Sequence, residues 1–219
     1  MNTLAITATG TDVGKTFVAC ALIRAIRAKD RAVSAFKPAL SGFAEDALAG
    51  SDAGLLLAAL GEPMSGLDRM SPLRFAAPLA PPSAARAEGV QLTLESLRRL
   101  CRARMEETGE SLLLIEGAGG LMSPLAEDGT NLDLFADLDL PLLLVTGSYL
   151  GAISHTLTAL EAIKARGLTL AAIVISESDG EHPPPAEIIG ALATFAPEAR
   201  VFVAPRGGEW DAADLADAL

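Results

Sequence analysis

The feature that most constrains the fold of this chain lies at its start, where a strand, a Thr/Gly-rich loop and an apolar helix follow one another. Leu4-Ala5-Ile6 is a short apolar run that breaks at Thr7 into a loop, as a strand end does. From Lys15 to about Lys29, Val18, Ala21, Leu22, Ala25 and Ile26 recur at helical spacing. The loop between them reads Thr7-Ala8-Thr9-Gly10-Thr11-Asp12-Val13-Gly14-Lys15-Thr16. Successive backbone N–H groups at a helix N-terminus suit phosphate oxygens, and the helix dipole favours their charge. Gly14 permits a close backbone approach, Lys15 reaches the terminal phosphates, and the Thr16 hydroxyl suits magnesium. The common phosphate-loop spacing places a glycine five residues before Gly14, where Thr9 stands; Gly10 comes one residue later.

The rest of the chain repeats the alternation. Strands are expected at Ala32 to Phe36, Ser111 to Ile115, Pro141 to Val145, Leu170 to Ile175 and Val201 to Val203. Helices are expected at Ser51 to Leu60, Thr93 to Glu107, Ala152 to Arg166 and Pro184 to Phe195. In the helix from Ala152, Ile153, Leu157, Leu160 and Ile163 are expected to face inward. Residues 62 to 91, rich in Pro, Gly and Ala, read as an irregular excursion. The strands are continuous apolar runs, the pattern of a sheet covered on both faces. We therefore expect a doubly wound, mostly parallel α/β sheet of the P-loop NTPase type, forming a single domain over residues 1–219. A chain of 219 residues suits that, since one core usually serves up to about 250.

Charge and cysteines exclude several classes. The formal net charge is −11, and nucleic-acid binding by phosphate neutralisation needs a basic cluster. Arg98, Arg99, Arg102 and Arg104 read instead as the solvated face of one helix. Cys20 and Cys101 lie in apolar helical patterns and read as small buried hydrophobes, not as a disulfide framework or zinc site. No apolar run approaches a membrane span, and no signal peptide is read at the N-terminus. A cytoplasmic protein with no membrane or nucleic-acid partner is the expectation.

In open α/β sheets ligands bind beyond the carboxyl ends of the strands, and the polar residues gather there. Lys37, followed by Pro38, lies in extended backbone at the end of the second expected strand, with Ser41 beyond it. Glu116 closes an apolar strand, the position that holds magnesium beside a phosphate loop, and Gly117-Ala118-Gly119-Gly120 follows it. Asp52 opens a helix, where a capping role competes with a functional one. The helix near Gly151 has no acid in its first turn, so its N–H groups suit a carboxylate. His155 fits a core or surface role, and His182 takes no assignment.

Together these residues resemble the dethiobiotin synthetase family. Its opening motif, Thr-Gly-Thr-Asp-Thr-acid-Val-Gly-Lys-Thr, aligns without a gap with residues 7 to 16, with Ala8 in place of Gly and Gly10 in place of Asp. Its Lys-Pro-x-x-Ser-Gly matches Lys37 to Gly42, its Ser-Asp matches Ser51-Asp52, and its Glu-Gly-Ala-Gly-Gly matches Glu116 to Gly120. Its Leu-Gly-x-Ile-Asn-His matches Leu150 to His155, with Ser154 for Asn.

The resemblance implies an ATP- and magnesium-dependent closure of a ureido ring on diaminopelargonic acid with carbon dioxide, through a phosphorylated carbamate. It implies Lys37, Lys15 and Thr11 as catalytic groups, and Thr16, Asp52 and Glu116 as magnesium ligands. Nucleotide contacts are implied at Asp12, Val13, Gly14, Lys15, Thr16, Phe17, Asp52, Glu116, Gly117, Ala118, Gly119, Ser176 and Pro205. Substrate contacts are implied at Ser41 and at Leu150, Gly151, Ala152 and Ile153, the last group across a homodimer interface. Ser176 stands where the family reads adenine with Asn, which implies a looser nucleotide preference. Lys37→Ala is expected to cost turnover and to leave the fold intact.

Two rivals share the fold. A switch ATPase of the partitioning or division-site type usually carries a second lysine five residues before the main one, and that position is Gly10. An amide-forming synthase with a glutamine-hydrolysing domain needs a nucleophilic cysteine on a strand-to-helix turn, and neither cysteine lies on one.

Overall fold

The computed structural model describes residues 2–109, 111–180, 182–207 and 210–219. In chain order the elements are β1 Thr3–Ala8, α1 Lys15–Ala28, β2 Val33–Phe36, β3 Ala39–Ser41, α2 Asp52–Leu60, α3 Leu67–Met70, β4 Leu73–Phe75, α4 Pro81–Ala87, α5 Leu94–Thr108 and β5 Leu112–Glu116. There follow β6 Pro124–Ala126, β7 Gly129–Thr130, α6 Asn131–Asp137, β8 Leu142–Gly147, α7 Ala152–Ala165, β9 Leu170–Ser176, α8 Pro185–Phe195, β10 Val201–Ala204 and α9 Ala213–Ala218. Six strands form one parallel sheet in the order β10-β9-β8-β1-β5-β2. The expected doubly wound parallel sheet is the fold observed.

Successive side chains of a strand point to opposite faces, and here each face has its own core. Leu4, Ile6 and Ala8 of β1, with Leu143 and Val145 of β8, pack against α1, α2 and α9. Ala5, Leu142 and Leu144 point the other way, against α5, α6 and part of α7. Burial on both faces explains why the strands read as unbroken apolar runs. Helix α1 is enclosed almost all round: Ala19, Cys20 and Ile23 join the expected stripe in the core.

The order places β1 between β5 and β8, while the chain passes from β1 through α1 to β2, beyond β5. The loop after β1 therefore opens into a crevice flanked by the ends of both neighbours. It is braced there: the Thr9 N–H donates to Val145 O at 2.9 Å, and the Leu121 N–H donates to Ala8 O at 2.7 Å.

Three expectations need correcting, and one helix had none. Residues 62–91 contain α3, β4, α4 and a 3-10 turn at Met64–Gly66, because β4 pairs with β3 and α4 packs beneath them. Helix α6 went unread, although Thr130 and Asp133 form a capping box at its start. In α7 the fully buried positions are Ala152, Thr156, Ala159 and Ile163, while Ile153, Leu157 and Leu160 are half-buried toward α8 and β9. Small residues let α7 lie close to the sheet. Arg104 is buried rather than solvated, with Glu107 at 3.4 Å.

Candidate functional site

Gly14 caps α1 with φ +95°, in the left-handed region open to glycine, and no side chain bonds the first-turn N–H groups. No acid occupies that turn. The loop thus ends in unclaimed donors at the positive end of a 14-residue helix, an anion site by construction. Asp12 also takes a positive φ, +57°, and Lys15 folds back so that its Nζ donates to Gly10 O at 3.3 Å. A Cβ on Gly14 would overlap the Ser176 hydroxyl, so β9 walls the loop closely.

Lys37 lies between β2 and β3, its N–H donating to Met70 O at 2.9 Å. It is 2 % exposed, not the surface lysine that is this residue's common fate. Its Nζ lies 2.7 Å from Asp52 Oδ2 and 2.6 Å from Glu116 Oε1. Asp52 is free for this because Ser51 performs the capping, its Oγ accepting from the Gly54 N–H at 3.1 Å. Glu116 ends β5 at 1 % exposure, and its Oε1 also accepts from the Thr16 hydroxyl at 2.8 Å. Residues from α1, α2, β5 and the β2–β3 link thus meet in one cluster.

Burial works against each charge in the cluster, and the neighbours decide the outcome. Burial opposes the Lys37 ammonium, yet Glu116 and Asp52 hold its pKa above the ordinary value. Asp52 also loses by burial, but Lys37 outweighs this and holds its pKa below the usual carboxylate range. Lys15 lacks such close partners: burial, then repulsion from Lys37, brings its pKa down.

The Gly-rich run after Glu116 is shaped by Asn131, which is fully buried at the start of α6. Its amide donates to Ala118 O at 2.7 Å and Gly120 O at 2.9 Å. Gly117 packs against Asn131 rather than reaching open space, and a Cβ there would overlap it. Gly120 fits against the Gly10 backbone, where a Cβ would sit 3.1 Å from Gly10 Cα. Asn131 escaped the sequence reading, yet the capping signature Thr130-Asn131-Leu132-Asp133 marks its place.

Three cavities adjoin the loop. One of about 390 Å³ is lined by Thr11, Lys15, Thr16, Lys37, Ser41, Asp52, Ala118 and Gly119, with Asp12, Gly14, Phe17 and Leu40. A second, about 740 Å³, is walled by Asp12, Val13, Gly14, Phe17, Ser176 and Pro205, which the sequence singled out. Tyr149, Glu177, Ser178, Asp179, His182 and Arg206 line it as well, and the sequence reading had not assigned them. They come together only because β8, β9 and β10 are neighbours. A third, about 490 Å³, runs from Gly10, Thr11 and Gly120 to His155 and Thr158 on α7. Leu150, Gly151, Ala152 and Ile153 line none of the three. Leu150 is 90 % exposed, and the Ala152 N–H already donates to Tyr149 O at 3.0 Å.

The donor set suits magnesium. The Glu116 Oε2 atom is buried without a hydrogen-bond partner, so its lone pairs are available. Among the described residues no group of three or more His, Cys, Asp and Glu gathers as a protein-only metal site would require. Two carboxylates and the Thr16 hydroxyl instead match an ion that arrives with phosphate and keeps several waters. Among the described residues no helix is long and apolar enough to cross a membrane.

Comparison with known proteins agrees with this geometry. The AAA domain family profile matches residues 2–202. The chain is 58 % identical over 214 residues to the ATP-dependent dethiobiotin synthetase BioD of Phenylobacterium zucineum, covering 95 % of this chain and 91 % of that protein. It is 51 % identical to the enzyme of the same name from Caulobacter vibrioides, covering 100 % of this chain and 99 % of that one. Among solved structures it resembles the MinD cell division protein of Aquifex aeolicus, with TM-score 0.55, 13 % identity, and coverage of 100 % and 87 %. It also resembles a ParA family ATPase from Chlorobium tepidum, with TM-score 0.53, 16 % identity, and coverage of 98 % and 88 %. At such identities the two structures speak for the fold alone.

Proposed function

Because the chain belongs to the ATP-dependent dethiobiotin synthetase family, we propose that it closes the ureido ring of dethiobiotin on diaminopelargonic acid, using carbon dioxide and ATP. One amine attacks carbon dioxide and loses a proton, giving a carbamate. A carbamate oxygen takes the γ-phosphoryl group, and ADP leaves. The second amine then attacks the carbamoyl carbon, and the C–O bond to phosphate breaks. Dethiobiotin, ADP and phosphate result.

The observation that carries the reading is Lys37, buried between two carboxylates and lining the same cavity as Lys15 and Ser41. A fixed ammonium beside a phosphate site stabilises charge that develops on carbamate and phosphoryl oxygens, with no reorganisation at the moment of reaction. Asp52 and Glu116 hold Lys37 charged and in place. Lys15 and the free N–H groups of α1 bind the phosphates; Thr11 assists there, and Ser41 hydrogen-bonds the carbamate end of the substrate. Thr16, Asp52 and Glu116 would hold magnesium, which neutralises phosphate charge when bound. Holding both reacting groups in one cavity makes ring closure effectively unimolecular.

The substrate's carboxylate binds at Leu150 to Ile153 of a second copy in a homodimer. This reading accounts for two facts together: these residues line none of the three cavities beside the phosphate loop of their own chain, and Leu150 is exposed beside the α7 N-terminus. The whole chain acts as one catalytic domain.

Incubation with diaminopelargonic acid, bicarbonate, magnesium and ATP tests the assignment. Mass spectrometry is expected to detect dethiobiotin. Its absence, from folded protein that binds ATP, would remove the assignment.

A further inference from the structure

Tyr149 stands at the partition between two of the cavities. Tyr149 lines the cavity of about 740 Å³, which also carries Ser176, the residue that the family resemblance sets against the nucleotide base, and does not line the one of about 490 Å³. His155 lines the latter and not the former. The two side chains meet across the wall, with Tyr149 Oη 2.9 Å from His155 Nδ1. The same phenol oxygen lies 3.4 Å from the Thr9 hydroxyl, within the phosphate loop, and Thr9 is 3.2 Å from Thr146.

The ring is fixed by its surroundings. It lies against Gly147, where a Cβ would come within 2.7 Å of it. The loops after β8 and β9 are tied on either side. The Ser148 N–H donates to Ser178 Oγ at 3.0 Å, and the Ser178 N–H returns a bond to Ser148 Oγ at 2.9 Å.

A phenol has one proton and here has two acceptors within reach. Donated to His155 Nδ1, that proton leaves the imidazole with a hydrogen on Nε2, a donor available to the cavity of about 490 Å³ that His155 lines. Turned to Thr9, it leaves the phenol oxygen to accept from a hydrogen on Nδ1, and Nε2 becomes an acceptor. The direction of one O–H bond beside the phosphate loop thus sets whether His155 Nε2 is a donor or an acceptor.

We propose that Tyr149 is a positioning residue that links the nucleotide cavity to the substrate cavity by selecting the tautomer of His155. The inference rests on the proposed function, which holds the carbamate end of the diamino acid in the cavity of about 390 Å³; Thr11 lines that cavity and the one of about 490 Å³ alike, and the inference places the rest of the diamino acid in the latter.

Two histidines make the test direct, since only His155 and His182 contribute imidazole signals. Ring nitrogens of labelled full-length protein are followed by NMR as a non-hydrolysable ATP analogue and magnesium are added. In the wild type both histidines are expected to respond. In Tyr149→Phe, His182 in the nucleotide cavity still responds and reports binding, while the His155 tautomer no longer changes. A His155 change of equal size in Tyr149→Phe, or none in the wild type, overturns the link. Affinity for the diamino acid is then measured with and without the analogue. The wild type is expected to bind at least about fivefold more tightly with it, and Tyr149→Phe to show a ratio near one. An unchanged ratio in the variant also overturns the proposal. If the diamino acid fails to bind while the nucleotide still shifts His155 through Tyr149, the substrate assignment fails and the link stands.

Discussion

Replacing Lys37 with methionine keeps most of the buried stem and removes the ammonium that contacts Glu116. Among the described residues Glu116 then keeps no cation within salt-bridge distance. Removing one side of a buried ion pair typically costs roughly 3–5 kcal/mol, because the other side is left buried and uncompensated. The Thr16 hydroxyl still donates to Glu116 Oε1 and Asp52 is partly exposed, so the lower half of that range applies. Stability of Lys37→Met at pH 7 is thus expected to fall by about 3–4 kcal/mol. The deficit has a pH signature. Lys37 holds the Asp52 pKa below 3.8, so the wild type loses that contribution as pH falls below 3.8, while the variant has none to lose. The difference from wild type should therefore be full near neutral pH and shrink in acid below pH 3.8. Urea unfolding followed by circular dichroism measures it. Lys37→Met/Glu116→Gln should recover most of the stability and none of the turnover. A deficit below about 1 kcal/mol at pH 7, or one independent of pH, would refute the reasoning. This revises the expectation that Lys37→Ala leaves the fold intact: a residue 2 % exposed and paired on two sides supports structure as well as chemistry.

The wild type should have a broad stability plateau. The Asp52 contribution is present above pH 3.8 and is lost as pH falls below it, because its pKa is lowered from that value. The Lys37 contribution is present below pH 10.5 and is lost only in stronger alkali, because its pKa is raised; thermal melts across pH check both limbs. Burial pushes the Cys20 and Cys101 thiols up to about 12, so a thiol reagent at pH 8 should titrate neither in the native protein and both after denaturation. Gly14→Ala should weaken nucleotide binding and stability, since it puts a side chain at φ +95° against Ser176; adding Ser176→Gly should restore only part of the loss. Turnover with ATP, CTP and GTP tests base reading by a cavity that carries Ser176 and no asparagine; strict ATP dependence would argue against a loose preference.

The fold was legible where one periodicity dominated. Strand β1, helix α1 and strands β5, β8 and β9 follow from apolar runs and helical spacing, because burial on both faces leaves little else in the sequence. Strand β4 and helices α3 and α4 were not legible, since their stability comes from a short parallel pairing with β3 and from packing that no local pattern announces. At the site, Lys15, Thr16, Lys37, Asp52 and Glu116 were legible because each sits at or beside an element boundary, where a charged or hydroxyl residue interrupts an apolar pattern. Their convergence was not, because it depends on β2 lying beyond β5 in the sheet. Tyr149, Glu177 and Arg206 reach the large cavity from loops after three different strands, a relation without a sequence signal.

The transfer of oxygen from carbon dioxide to phosphate tests the central claim most directly. Freshly added 18O-labelled carbon dioxide is supplied with diaminopelargonic acid, magnesium and ATP, and the early products are weighed by mass spectrometry. Closure through a phosphorylated carbamate leaves one labelled oxygen in each released phosphate and one in the ureido carbonyl. Labelled dethiobiotin formed alongside unlabelled phosphate would contradict the account.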